Sequence, residues 1–375
     1  SAIRDRPRQE CQTGNEPAPA ILFWISLEFL HHISSPKISN IQKDHITDNL
    51  WLISEGARFR LSQVSESANK EDEQHPEAGQ DMAVTVDIAV PAPARLGEGP
   101  VWDMEDARLW WVDIKGGLIH CFDPASGDNG AFDFGEPVGC IARRDKGGLI
   151  VAAASGFYLF DPETGNRTAL VDPEADLPGN RFNDGGCDPA GRFWAGTMHD
   201  DGTPRQQRGQ FWRYNDDGTA TGFFAPLYTS NGLAYSGDGA VMYMSDSNKS
   251  VQTIWAHDYD LASGTPTNQR VLFDCAEIDG RPDGGTVDSD GCYWTALIGG
   301  WQIARITPDG KLDRTVSVPV ANPTKPMFGG DGLDVLYVTS ANESLEDDPA
   351  QPHAGCLLAI SGLGVTGLPQ ARFAG

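Results

Sequence analysis

Basic residues are scarce in this chain of 375 residues. It holds 28 lysines and arginines against 53 aspartates and glutamates, so its formal net charge at pH 7 is −25. A surface of that sign repels the phosphate backbone of nucleic acids and the head groups of anionic membranes. A long apolar run is missing too, because the segment 21–30 has only ten residues and contains a glutamate, too short to cross a bilayer. The sequence therefore predicts neither a nucleic-acid nor a membrane partner.

Several motifs of cofactor binding and catalysis are also absent. The seven cysteines include no C-x-x-C pair, which favours reduced thiols and a cytoplasmic protein. No glycine-rich stretch leads into the G-K-[S/T] of a phosphate-binding loop, and no G-x-S-x-G elbow supports a serine triad. After residue 82 the sequence shows no convincing amphipathic helix. These absences leave an all-β domain as the expected fold class.

What the sequence does contain is one unit repeated six times. In three copies, an asparagine or aspartate lies eight residues before a turn glycine, and an aromatic residue follows that glycine within four residues. Three looser copies complete the set. The six copies begin at Glu98, Val138, Asn183, Asn231, Asp283 and, in the last copy, Thr324 or Lys325.

The period of these units predicts the architecture. The strands that follow the turns are 40 to 51 residues apart, which is typical of a four-stranded propeller blade. Their centres lie near Trp111, Val151, Trp194, Tyr243, Trp294 and Tyr337. The strands are short, rich in β-branched and aromatic residues, and bounded by glycine and aspartate turns. The sequence predicts an all-β, six-bladed β-propeller around a central channel, with a β-sandwich as the weaker alternative.

In a propeller, equivalent positions of different blades converge on the central axis. Glu98, Asn183, Asn231 and Asp283 come from four copies, and their oxygen atoms would suit a hard cation. An Asx-Gly pair by itself is more often an ordinary turn. The repetition at matched offsets favours a site over a set of turns.

Five motifs occur in order between residues 84 and 360. They are LGEGPVW at 96–102, NRFNDG at 180–185, SNGLA at 230–234, PDG at 282–284 and FGG at 328–330. Together they resemble the SMP-30/gluconolactonase family, which includes regucalcin and bacterial sugar lactonases. The resemblance implies a six-bladed propeller with one divalent metal ion in its channel. The stretches 197–200, 294–297 and 324–330 look more like bacterial xylono- or arabinono-lactonases than animal regucalcin.

Carried over by motif position, the resemblance implies roles for six site residues. Glu98, Asn231 and Asp283 would be the metal ligands, and Arg181 and Asn183 would contact the substrate. A family acidic residue that contacts the substrate falls on Asp201, where regucalcin-type members have glutamate. His199 lies beside the same motif and takes no role from the resemblance; a surface loop position is favoured for it over a substrate contact.

These residue types suit metal-dependent hydrolysis of a sugar aldonolactone to the aldonic acid. Carboxylate and amide ligands favour Ca²⁺, Mg²⁺ or Mn²⁺ and leave Zn²⁺ or Fe²⁺ open. The bound ion would act as a Lewis acid on the lactone carbonyl, and Asp283 is the first candidate for the general base, with Asp201 second. Two alternatives stay open: a propeller hydrolase for aryl esters or organophosphates, and a non-enzymatic calcium-binding regulator or scaffold.

The first 81 residues differ from the rest. They hold 3 of the 43 glycines and lack the repeat, so we interpret residues 1–81 as an N-terminal extension, disordered or not native to the domain. A start at Met82 would leave 294 residues, enough for one propeller domain over 82–375. We expect a small sugar lactone as partner, and a monomer or weak oligomer.

Overall fold

Six four-stranded antiparallel sheets make up the fold. The structure is a computed structural model that describes residues 83–375 apart from 92, 203, 344, 346 and 347; the expectations for residues 1–81 lie outside the described residues. Among those described, the only helical element is one short 3₁₀ turn, Cys275–Glu277. The all-β, six-bladed propeller predicted from the repeat is confirmed.

The first three blades follow one another along the chain. The first blade contains β2 (Gly97–Asp103), β3 (Arg108–Asp113), β4 (Leu118–Phe122) and β5 (Asn129–Asp133). The second contains β6 (Val138–Arg143), β7 (Leu149–Ala153), β8 (Gly156–Asp161) and β9 (Asn166–Ala169). The third contains β10 (Asn180–Cys187), β11 (Phe193–His199), β12 (Gly209–Tyr214) and β13 (Ala220–Leu227).

The remaining blades repeat this order until the last one closes the ring. The fourth contains β14 (Ser230–Tyr235), β15 (Val241–Asp246), β16 (Thr253–Asp260) and β17 (Thr265–Asp274). The fifth contains β18 (Arg281–Val287), β19 (Tyr293–Ile298), β20 (Gln302–Ile306) and β21 (Leu312–Ser317). The sixth takes β22 (Pro323–Gly329), β23 (Val335–Ser340) and β24 (Leu357–Ser361) from the end of the chain and β1 (Thr85–Val90) from its beginning.

The first strand of each blade lines the central channel. These inner strands, β2, β6, β10, β14, β18 and β22, each contact the next around the ring, and β22 contacts β2. The second strands carry the aromatic residues that the repeat placed after each turn, and Trp111, Trp194 and Trp294 are fully buried between blades. The six units therefore share one apolar packing scheme, because no single four-stranded sheet can cover its own two faces.

A β-bulge interrupts every inner strand at or beside the position where its repeat begins. The pairing with the second strand shifts after Glu98, Val138, Phe182, Asn231, Pro282 and Pro323. A bulge bends the strand and redirects its side chains, and bulges are frequent next to binding sites. In this fold the bulges present the start of each repeat to the channel. No helix among the described residues is both long and apolar enough to cross a membrane.

Candidate active site

A polar cavity of about 280 Å³ opens at one end of the channel. Glu98 from β2, Asn183 from β10, Asn231 from β14 and Asp283 from β18 all line it. None of the four side chains belongs to a residue more than 6% exposed. The structure thus brings together the four positions that the repeat predicted to converge, and adds Arg181 beside them.

A chain of hydrogen bonds joins the expected substrate residues to the expected metal ligands. Arg181 donates from Nη1 to Oδ1 of Asn183 at 2.8 Å. Asn183 donates from Nδ2 to Oδ1 of Asn231 at 3.0 Å and to the Ser230 carbonyl oxygen at 2.9 Å. Both amide hydrogens of Asn183 are therefore engaged, and only an acceptor lone pair on its Oδ1 is left for a sugar hydroxyl. The network holds Arg181, Asn183 and Asn231 in one fixed arrangement.

The same chain continues to Asp283 through a serine. Asn231 donates from Nδ2 to Oγ of Ser247 at 2.6 Å, and Ser247 donates to Oδ1 of Asp283 at 3.5 Å, a long contact. The Nδ2 group of Asn231 is thus used as a donor. Its Oδ1 accepts a hydrogen bond from Asn183 with one lone pair, and the second lone pair is available to a cation. Ser247 thus orients one expected ligand relative to another.

Two buried carboxylates share this cavity. Burial, followed by the neighbouring charges of Asp283 and Asp184, raises the pKa of Glu98 well above its usual range. Burial and Asp184 likewise raise the pKa of Asp283. Both shifts mean that negative charge at this place is costly unless a cation is bound.

A buried ion pair lies one residue farther along the inner strands. Lys325 donates from Nζ to Oδ1 of Asp184 and to the carbonyl oxygen of Gly185, and both charged side chains are at most 4% exposed. Burial would lower the pKa of Lys325, but the attraction of Asp184 and then of Glu98 outweighs it and the pKa is raised. Lys325 is therefore a permanent cation committed to Asp184.

This pair can form because the positions around it are small. The residues one step after the repeat start are glycine in four of the six copies, namely Gly99, Gly139, Gly232 and Gly284. A Cβ on Gly284 would lie 2.4 Å from Cβ and from Cγ of Lys325, so the lysine stem occupies the space that a side chain would need. Lys325 also lines a second cavity of about 330 Å³ at the opposite ends of the inner strands. We call the Asp184–Lys325 ion pair the channel floor, since it lies one residue beyond the repeat starts that line the first cavity.

The donor set fits a divalent cation. Lys325 is paired with Asp184, which leaves the two carboxylates of Glu98 and Asp283 with a combined formal charge of −2. These two carboxylates and the amide oxygen of Asn231 are the oxygen donors that hard cations prefer. No group of three or more His, Cys, Asp or Glu side chains suited to a metal occurs among the described residues, so the candidate site depends on the amide of Asn231.

The structure does not bring Asp201 to the cavity. Asp201 is exposed and packs its Cβ toward Gly179, whereas the preceding residue, Asp200, accepts a hydrogen bond from Nε of Arg181 at 2.7 Å. The two aspartates follow the end of β11, and Asp200 is the one whose side chain faces Arg181. Burial opposes ionisation of Asp200, but Arg181 and Lys115 prevail and lower its pKa to about 2. Asp200 is a fixed anion that orients Arg181.

The surface loop position expected for His199 is wrong. His199 is the last residue of β11 and is 4% exposed, and its Nδ1 accepts a hydrogen bond from the Gln206 backbone N–H at 3.4 Å. The strand runs through the G-T-M motif and ends only at this residue. The histidine braces the following loop.

Sequence reasoning missed several residues of the site. Ser247 and Asp200 act through hydrogen bonds to Asn231, Asp283 and Arg181, and Arg205 and Arg281 line the cavity. The sequence contained an indication for one of them, because Arg281 precedes Asp283 by two residues as Arg181 precedes Asn183 in another repeat. Arg205 lies in the loop between β11 and β12, where no repeat position could mark it.

Comparison with known proteins shows the family of this chain. The model of the SMP-30/Gluconolactonase/LRE-like region matches residues 96–342. The 6-deoxy-6-sulfogluconolactonase of Pseudomonas putida is 38% identical over 298 residues, which are 78% of this chain and all of that protein. Regucalcin of Xenopus laevis is 34% identical over 78% of this chain and 99% of its own length.

A solved structure agrees with these relatives. Regucalcin from Agrobacterium tumefaciens, described as a calcium-binding protein, has 31% identity and a TM-score of 0.72 over 76% of this chain and 96% of its own. The match to the family model covers the blades that carry Glu98, Asn231 and Asp283. The protein belongs to the SMP-30/gluconolactonase/LRE-like family.

Proposed function

We propose that the protein hydrolyses the ring ester of a sugar aldonolactone and releases the aldonic acid. The observation that carries the proposal is one buried cavity in which Glu98, Asn231 and Asp283 share a hydrogen-bonded network with Arg181 and Asn183. The Pseudomonas putida relative is named as a lactonase, and the match covers the whole length of that relative. A polar cavity of about 280 Å³ is near the lower end of small-molecule sites, which suits a sugar ring.

Glu98, Asn231 and Asp283 would hold a divalent cation. Oxygen donors favour Ca²⁺, Mg²⁺ or Mn²⁺, and Zn²⁺ and Fe²⁺ are further candidates. Bound there, the cation would supply Lewis-acid stabilisation of the negative charge that builds on the ester carbonyl oxygen. Release of the like-charge repulsion between Glu98 and Asp283 would contribute to the affinity.

Arg181 positions the substrate in this proposal. Its hydrogen bonds to Asp200 and Asn183 use Nε and Nη1, so within the described residues the two N–H groups of Nη2 can donate to a lactone oxygen. A guanidinium held in this way loses little freedom when substrate binds. Asn183 accepts from a sugar hydroxyl through Oδ1.

Asp283 is the proposed general base. Its carboxylate takes a proton from water as the water oxygen bonds to the carbonyl carbon. The bond from that carbon to the ring oxygen then breaks, and the ring oxygen receives the proton and becomes a hydroxyl. The products are one carboxyl group and one hydroxyl group on an open chain, so atoms and charges balance.

The two alternatives from the sequence have less support. Aryl esters and organophosphates need an apolar mouth, whereas this cavity is lined by Arg181, Arg205 and Arg281. A calcium-binding regulator would need Glu98, Asn231 and Asp283, but not a guanidinium fixed by its own aspartate. Hydrolysis therefore accounts for more of the observed arrangement than metal binding alone.

A lactone panel tests the proposal directly. Chelator-treated protein is given Ca²⁺, Mg²⁺, Mn²⁺, Zn²⁺ or Fe²⁺ and mixed with xylono-, arabinono-, glucono- or galactono-lactone, and acid release is followed with a pH indicator against protein-free controls. We expect metal-restored turnover of at least one lactone. Folded protein that hydrolyses none of them with any ion would overturn the proposal.

Replacing Arg181 with alanine should separate an enzyme from a scaffold. A lost hydrogen bond from a charged group costs about 1.5–3 kcal/mol, so kcat/KM should fall roughly 10- to 100-fold. Metal affinity, measured by titration calorimetry, should change little because Arg181 reaches the ligands only through Asn183. Unchanged turnover in R181A would remove Arg181 from the substrate site.

A further inference from the structure

Three arginines lie around the cavity, and two of them approach the same carboxylate. Arg205 and Arg281 line the cavity together with Arg181. Asp200 already accepts from Arg181 and from Lys115, and Arg205 lies 3.8 Å from its other oxygen. Three cations thus share a single carboxylate.

Arg205 has only weak contacts with the protein. Its Nη1 donates to Oγ1 of Thr229 at 3.3 Å and lies 3.7 Å from Sδ of Met198, and its side chain is 42% exposed. The two neutral contacts hold the side chain over the cavity without compensating its charge. The guanidinium therefore keeps donors for a partner that arrives from solvent.

Arg281 is held in a similar way on the fifth blade, two blades along the ring from the third blade, whose β11–β12 loop carries Arg205. It is the first residue of β18, and its Nη1 donates to the backbone carbonyl of Ser247 at 3.2 Å. Within the part of the chain that the structure describes, no carboxylate lies within 4.0 Å of its guanidinium. Its charge acts on the buried Asp283 from a longer distance. If Asp283 holds a cation, the guanidinium is left with a carbonyl oxygen as its hydrogen-bond partner and can take an anionic ligand.

The arginines are close enough to repel one another. Burial, and then the charges of Arg181 and Arg281, lower the pKa of Arg205, against the pull of Asp200 and Glu343. Arginine does not lose its proton in proteins, so the repulsion is a standing cost in the free protein. Of the acidic residues that line the cavity, Glu98 and Asp283 are assigned to the cation, and Glu343 is exposed at the rim.

We infer that Arg205 and Arg281 bind an oxyanion substituent, a phosphate or a sulfonate, on the end of the lactone that lies away from the ester carbonyl. The inference rests on the proposed lactone hydrolysis and specifies its substrate class. Two guanidinium groups match the oxygens of such a group with paired N–H donors. A substrate of this kind would place its carbonyl at the floor of the cavity and its anion at the mouth.

The test compares a charged lactone with a neutral one. 6-Phosphoglucono-δ-lactone and its 6-sulfo analogue are assayed beside glucono-δ-lactone, with spontaneous hydrolysis subtracted. We expect the wild type to prefer at least one charged substrate, and the R205Q/R281Q double variant to lose that preference by about 100-fold, mainly through KM. Salt should raise KM for the charged lactones more than for the neutral one. The phosphate and sulfonate arms show which oxyanion is preferred.

Arg208→Gln is the matched control. Arg208 is an exposed arginine of the same loop as Arg205 and does not line the cavity, so its substitution should leave the preference unchanged. Equal loss on charged and neutral lactones in R205Q/R281Q would overturn the inference, since the arginines would then serve the sugar ring. So would a wild type that prefers the neutral lactone.

A binding measurement separates this inference from the proposed function. If no lactone is hydrolysed, calorimetry with 6-phosphogluconate still reports on the mouth. Binding to the wild type that is lost in R205Q/R281Q and kept in R208Q would support the anion site although hydrolysis has failed. Absence of 6-phosphogluconate and 6-sulfogluconate binding to the wild type would overturn it.

Discussion

Replacing Asp283 with asparagine is expected to lower kcat by about 10²–10⁴. The change keeps the size of the side chain but removes the carboxylate that is both the proposed base and a proposed metal ligand. Metal affinity should fall by roughly 100-fold or more, since even indirect partners of a ligand contribute 10- to 100-fold. Stopped-flow assays and calorimetric metal titrations would measure the two losses separately.

The stability of the same variant gives an independent reading. In the metal-free protein, burial and then the charge of Asp184 raise the pKa of Asp283, so its negative charge is costly. The melting temperature of metal-free D283N should therefore equal or exceed that of the wild type, so lost activity could not be blamed on unfolding. Asp279→Asn, an exposed aspartate four residues earlier, is the control and should behave as wild type. A D283N enzyme with more than a tenth of normal kcat would exclude Asp283 as the base.

Replacing Lys325 with methionine is expected to be the most destabilising of these changes. Methionine keeps the apolar stem that fills the space over Gly284 but removes the ammonium group paired with Asp184. Asp184 would be left as an uncompensated carboxylate with no exposed side-chain surface. Removal of one partner from a buried ion pair costs about 3–5 kcal/mol, which lowers Tm by roughly 10 °C in a domain of this size.

Two further variants decide whether the ion pair is the cause. D184N/K325M removes both charges and should recover most of the loss in Tm, because no buried charge is then left unpaired. Lys311→Met breaks the ion pair between Lys311 and Asp309, whose side chains are 78% and 60% exposed, respectively. This change should leave Tm unchanged. If the Tm of K325M equals that of the wild type, the Asp184–Lys325 ion pair does not stabilise the domain.

Much of the fold could be read from the repeat. Trp111, Trp194 and Trp294 mark the second strands of three blades, and their spacing predicted the six sheets that the structure contains. The closure of the ring could not be read in this way. Strand β1 pairs with β24, which lies near the other end of the domain sequence. The local sequence of 85–90 does not identify this partner, since strand pairing depends on which sheet edge remains free after the other blades have formed.

The candidate site likewise has features that the sequence predicted and features that it could not predict. Glu98, Asn231 and Asp283 lie at matching places in different repeats, so periodicity alone brought them to one axis. The sequence could not show whether Asp200 or Asp201 contacts Arg181, because that depends on which of the two side chains faces Arg181 in the folded chain. The sequence left Thr324 and Lys325 open as the start of the last repeat. The bond of Lys325 to Asp184 spans 141 residues and needs the glycines of other blades to make room.

The sequence by itself determined the number of blades, the inner-strand positions and the oxygen donors that meet on the axis, because all three follow from a periodic pattern that each copy carries locally. Only the tertiary structure decided the contents of the channel: the Asp184–Lys325 floor, the network through Ser247, and the arginine mouth. Those features join side chains from different blades, and their energies depend on distance and burial that no spacing along the chain records.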